Sequence, residues 1–198
     1  MIGRLKGELL FKQPPHLLVD VSGVGYELEA PMSTIYDLPE AGHEVVLLTH
    51  LTIRDDAHIL FAFLTEAERS LFRTLIKVNG VGPKMGLGIL SAMNPAEFRA
   101  RILQGDNAAL TKIPGVGKKT AERLIIEMRD RLEKTEAGVE SYAVGTTPSG
   151  RADPLTEATQ ALVALGYKPQ EASRMTGRID SDGLSSDEII RQSLRAVL

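Results

Sequence analysis

Hydrophobic and polar positions follow two different periods along this chain, and the change falls at Thr65. Before it, short apolar runs, IGRLKGELLF, HLLVDVSG, VGYELEA, EVVLLTHLTI and HILFAFL, are separated by Pro, Gly and Asp breaks. YELEA alternates, with Tyr26, Leu28 and Ala30 on one face, the period-2 signature of a half-buried strand. Five or six such strands within 64 residues predict a small closed sheet, an OB-like barrel.

From Thr65 the period becomes helical. Thr65-Glu66-Ala67-Glu68 has the capping-box pattern, and Leu71, Phe72, Leu75 and Ile76 recur at helical spacing. Asn94-Pro95-Ala96-Glu97 is a second start with Pro at the first helical position, and Gly105 is placed to end that helix. A last helix from Lys118 to about Lys134 puts Leu124, Ile125, Met128 and Leu132 on one face. Residues 135–153, TEAGVESYAVGTTPSGRAD, lose apolar periodicity and are rich in Gly, Ser, Thr and Pro, which predicts a flexible linker. Its first part goes with the helical unit. After it, ALVALGYKP, EASRMTGRI and SSDEIIRQSLRAVL, with a capping box at Ser185 and Glu188, predict three short helices. The expected organisation is multidomain: an all-β barrel at 1–64, an all-α unit at 65–142, a linker at 143–153 and a small three-helix module at 154–198.

Composition narrows the chemistry. The chain has 198 residues, 43% hydrophobic and 25% charged, in the globular range. No segment approaches the roughly 20 apolar residues of a membrane span, and MIGRLKGELLF does not read as a signal sequence, so a cytoplasmic protein without membrane contact is expected. Without cysteine there are no disulfides, thiolate nucleophiles or cysteine metal sites. His16, His43, His50 and His58 lack paired metal-ligand spacing, and no metal site is expected.

Net charge is −3, which at first argues against a polyanionic partner, but the average hides a partition. Residues 1–64 hold four Lys/Arg against nine Asp/Glu, residues 65–134 thirteen against eight, and residues 135–198 six against nine. The basic excess, a local +5, lies wholly in the helical middle. That middle also contains a repeat. Shifted by 35 residues, LIKVNGVGPK (Leu75 to Lys84) falls on LTKIPGVGKK (Leu110 to Lys119), with Leu, Lys, Gly, Val, Gly and Lys identical. Each copy lies between two helices, the pattern of a tandem helix-hairpin-helix. Glycines let the backbone pass close to a phosphate, the next helix starts at once, and its free N–H groups and positive dipole end face the anion. Such a grip reads backbone and not base sequence.

Other phosphate sites fail on spacing. A P-loop needs Gly-x-x-x-x-Gly-Lys-Ser/Thr, but Gly117-Lys118 is followed by Lys119 and the position five before Gly117 is Lys112. A dinucleotide fingerprint needs a third glycine, where Gly80-Val81-Gly82 continues with Pro83, Lys84 and Met85. A DNA glycosylase or nuclease is the enzymatic rival. It would need an aromatic base pocket with a catalytic group or a cluster of metal-binding carboxylates; there is no Trp, and Asp55-Asp56 is a pair without a third ligand nearby. A single-strand-binding barrel would need a positive aromatic groove, and this barrel carries net −5.

Taken in order, MIGRL, PEAG (Pro39 to Gly42), NGVGPK, IPGVGKKTAERLI and ALVALGYKPQEASRM resemble the RuvA family, Holliday-junction-binding subunits of bacterial RuvAB branch-migration complexes, over essentially the whole chain. The resemblance implies the OB-like, helix-hairpin-helix and three-helix architecture, a homotetramer, and two tetramers able to sandwich a four-way junction. It implies DNA contacts at Gly80, Val81, Gly82 and Lys84, at Gly115, Val116, Gly117, Lys118 and Lys119, and at Arg123. Catalytic residues and bound cofactors are not implied; ATP and magnesium would serve the partner motor, the hexameric ATPase RuvB, and the resolvase RuvC would be a further partner.

Two more assignments follow from the resemblance. On residues alone, Arg54-Asp55-Asp56 is a solvated turn between two strands. The family makes it an acidic pin at the tetramer centre, where carboxylates repel phosphates at the crossover and Arg54 supplies the attractive counterpart. In the C-terminal module, core packing is the default for Leu162, Leu165 and Tyr167, and the resemblance implies that some of these side chains face RuvB.

Overall fold

A computed structural model of the chain describes residues 1–55, 57–136, 153–179, 181 and 183–196. They fall into two compact units, one within residues 1–137 and one within 138–198. The expected linker, apart from Asp153, and Asp56 of the expected pin lie outside the described residues.

The first unit opens with five strands, β1 (Arg4–Gln13), β2 (His16–Val21), β3 (Val24–Glu29), β4 (Glu44–Ile53) and β5 (His58–Phe63). They close in the order β1-β2-β3-β5-β4, every neighbouring pair antiparallel except β3 with β5. Closure leaves no free edge. The alternation is realised: Val45, Leu47 and Thr49 of β4 point inward, as do Leu28 and Ala30. A register shift between Leu9 and Phe11 turns β1 outward at its far end, leaving Leu10 and Phe11 half-exposed. A helix that the strand pattern does not predict, α1 (Met32–Asp37), bridges β3 and β4 behind Pro31 and buries Thr34 and Ile35. Six residues are under two turns, too short for a helical period to register.

The helical part contains α2 (Glu66–Leu75), α3 (Pro83–Ala92), α4 (Pro95–Gln104), α5 (Asn107–Leu110) and α6 (Lys118–Glu136). The predicted caps form. Thr65 Oγ1 accepts the Glu68 N–H and Glu68 Oε2 accepts the Thr65 N–H, both at 3.2 Å. Asn94 Oδ1 accepts the Glu97 N–H at 2.9 Å, and Gly105 ends α4 at φ 68°. The barrel and the helices share a core: Phe72 of α2 lies 4.9 Å from Phe61 and 5.0 Å from Phe63 of β5, ring to ring. Polar ties reinforce it. Ser33 donates to Glu68 at 2.7 Å, and Ser91 of α3 accepts the Met32 N–H at 2.9 Å. The nearly buried Arg69 of α2 donates to the Gly3 carbonyl at 2.6 Å and pairs with Glu66.

The second unit is α7 (Pro154–Ala164), α8 (Pro169–Thr176) and α9 (Ser186–Arg195), with the Ser185–Glu188 capping box formed at the start of α9. Leu162, Ala172 and Met175 form its core, with Tyr167, Ile190 and Leu194 packed against them. Among the described residues no helix is long and apolar enough to cross a membrane.

Candidate nucleic-acid interface

The sequence repeat is a repeat of geometry. In the first hairpin, the Val78 N–H reaches the Leu75 carbonyl at 2.9 Å and the Val81 N–H the Val78 carbonyl at 3.0 Å. The Gly86 N–H closes the first turn of α3 on Gly82 at 3.0 Å. Shifted by 35 residues, Ile113 reaches Leu110 at 3.1 Å, Val116 reaches Ile113 at 3.0 Å and Ala121 reaches Gly117 at 2.9 Å. Gly80 and Gly115 each have φ 85°, a conformation that side chains resist. Gly82 and Gly117 differ: neither has positive φ, and a Cβ added at either would meet nothing within 4 Å. Neither backbone conformation nor packing within the chain requires glycine there, and the space beside both helix starts is open.

Helix termini sharpen the picture. Of the described helices with eight or more residues, α2, α4, α7, α8 and α9 each carry Asp or Glu in the first turn. Only α3 and α6, the two that follow hairpins, do not. Their positive dipole ends are uncompensated by the chain. Exposed lysines stand there instead, Lys84 on α3 and Lys118 and Lys119 on α6, and none of the three has an ion-pair partner among the described residues. The two sites are unequal. Pro83 removes one N–H from the start of α3, whereas α6 starts with Lys118, Lys119 and Thr120, all bearing N–H groups.

Two groups of expected contacts have partners within the chain. Val81 and Val116 are 5% and 4% exposed, and their N–H groups are committed to Val78 and Ile113, so they anchor the turns from the core side and present nothing to solvent. Arg123 is exposed, but its guanidinium donates to the main-chain carbonyl of Asn79 at 3.1 Å, tying α6 to the first hairpin. This brings the hairpins side by side. Arg131, two turns further on, donates to the Lys77 carbonyl at 3.4 Å, a contact that motif reading missed. Its only sequence signal is that two further arginines, Arg129 and Arg131, follow Arg123 on the same helix.

The β4–β5 connection is a tight tip: the Arg54 N–H donates to the Ala57 carbonyl at 2.9 Å and the Ala57 N–H returns to Arg54 at 3.4 Å. Arg54 and Asp55 are exposed. In the second unit, Leu162 is fully buried, which removes it from the expected partner-facing set; Tyr167 is partly buried against the same core, and Leu165 stands 63% exposed. The described residues contain no group of three or more His, Cys, Asp or Glu able to hold a metal ion.

Three family models match successive parts of the chain. Residues 1–62 match the RuvA N terminal domain, residues 72–130 the SAM-like helix-hairpin-helix tandem, and residues 153–198 the RuvA C-terminal domain. Among curated proteins, the chain is 57% identical over 199 residues to the Holliday junction branch migration complex subunit RuvA of Nitrosococcus oceani. It is 55% identical over 202 residues to that of Thioalkalivibrio sulfidiphilus and 53% over 200 residues to that of Methylococcus capsulatus. Each of these alignments covers 100% of both chains. With this identity spread over the full length, and barrel, paired hairpins and three-helix module in the same order, the chain belongs to the RuvA family.

Proposed function

We propose that this protein is the non-catalytic, Holliday-junction-binding subunit of a branch-migration complex. The observation that carries the reading is the pair of hairpins that start α3 and α6, the two longer described helices without a first-turn acid, each with lysine in its place. A phosphate fits such a start: main-chain N–H groups donate to it, the dipole favours it, and Lys84, Lys118 or Lys119 adds a point charge. Gly82 and Gly117 leave room for close approach. Because these contacts read no base, selectivity must come from geometry, from the angles at which several copies present duplex arms. The relatives' shared name supports the junction as that geometry.

A homotetramer would present four such hairpin pairs, one per arm, with the Arg54–Asp56 tips near the crossover; two tetramers would enclose the junction. There the acidic tip would hold phosphates off by like-charge repulsion while strands exchange. The three-helix module would recruit RuvB, with Leu165 the apolar side chain most open to a partner. ATP and magnesium would bind that motor, RuvC would act on the same junction, and the protein would work in the cytoplasm.

The test is a gel-shift comparison of a synthetic four-way junction with linear duplex of the same arm sequence, in excess unlabelled duplex. Strong preference for the junction is expected. Equal binding would reduce the protein to a general duplex-backbone binder.

A further inference from the structure

We propose that Arg123 is a positioning residue: it fixes the first hairpin relative to the second. This rests on the hairpins being the DNA grip, as argued above.

The first hairpin turns through Lys77, Val78, Asn79 and Gly80, and the carbonyls of Lys77 and Asn79 accept no main-chain hydrogen bond among the described residues. An exposed carbonyl without a protein partner falls to water, which adds nothing to the hold that the buried Val78 and Val81 give the turn. Here both are taken by guanidinium groups of one helix. Arg123 donates to Asn79 at 3.1 Å and Arg131 to Lys77 at 3.4 Å. The Arg123 guanidinium also packs against the tip, where a Cβ on Gly80 would lie 3.5 Å from one of its terminal nitrogens.

The corresponding carbonyls of the second hairpin, Lys112 and Pro114, receive no arginine among the described residues. They need none for this purpose, because the second hairpin runs directly into α6 and moves with it. The first is joined to α6 only through packing and these side chains. Arg123 therefore acts as a strut between the two helix starts, and the distance it sets is the distance between two phosphate grips. A duplex has fixed phosphate spacing, so a hairpin free to drift would spend binding energy on being ordered.

Hydrogen exchange on the free full-length protein tests the strut without DNA. In Arg123→Ala the amides of Val78 and Val81 should exchange roughly three- to tenfold faster, as expected on losing a charge-assisted bond at an exposed site, while Ile113 and Val116 keep their rates. Arg123→Lys, which retains one donor able to reach the carbonyl, should restore part of the protection. Junction affinity of Arg123→Ala should fall at every salt concentration, because the spacing of the two grips is no longer fixed. Unchanged exchange at Val78 and Val81 overturns the proposal. If the unaltered protein shows no junction preference, the functional reading fails while the exchange result still decides the strut.

Discussion

Gly80 and Gly115, 35 residues apart, share a φ of 85°, and each is followed two residues on by a glycine with no backbone need to be one. The pairing separates two roles for glycine in one turn. The first member shapes the chain, and the second leaves space beside a helix start.

Substitution should pull those roles apart. Gly115→Ala forces a side chain into the left-handed region and should cost about 1–2 kcal/mol of stability, measured by denaturant unfolding. Gly82→Ala and Gly117→Ala meet no such strain; loss of a favoured N-cap residue and a stiffer unfolded chain are opposing effects, each about 1 kcal/mol or less. Their stability should stay close to that of the unaltered protein while junction affinity drops several-fold. Retained affinity in both would remove the close-approach role.

Lys84→Ala and Lys119→Ala should each weaken junction binding and lower the salt slope by about 0.9, since each neutralised phosphate releases its counterions. Titrations at several salt concentrations measure this. A slope that does not move for either lysine would take both off the phosphate path.

Phe72 joins barrel to helices, packed between Phe61 and Phe63 with His50 5.7 Å away edge-on. Phe72→Ala should cost about 3–5 kcal/mol. Because the core is shared, barrel and helical signals should be lost in one transition; separate transitions would show the two parts to be independent.

His50 carries a pH dependence. Burial holds its pKa below the usual 6.5, with the positive charges of Arg73 and Arg69 acting the same way. The unfolded chain then binds a proton at higher pH than the folded one. Stability should be complete above 6.5 and decline as pH falls from there toward the lowered folded value. His50→Gln should flatten the stability profile in that window, as read by thermal unfolding; an unaltered profile would assign the dependence elsewhere.

Replacing Asp55 and Asp56 together with Asn should leave junction binding intact or tighter while changing the rate of motor-driven branch migration. A large loss of affinity would mean that the tip attracts DNA and does not repel it.

Short-range features were legible in the residues alone. Capping boxes at Thr65 and Ser185, the Asn94-Pro95 start, the Gly105 stop and the two hairpins rest on hydrogen bonds between residues three to five positions apart, so residue type at a fixed spacing suffices to specify them. Inward alternation of Leu28 and Ala30 was legible for the same reason. Which side each residue serves was set by long-range packing. Val81 and Val116 turned out to face the core, Leu162 to be buried while Leu165 is open, and Arg123 to hold a carbonyl 44 positions away. Barrel closure, the β3–β5 pairing and the Phe72 junction belong to the same class. Their physical basis is packing between segments distant in sequence, where many apolar residues satisfy one pattern and only the assembled fold selects among them.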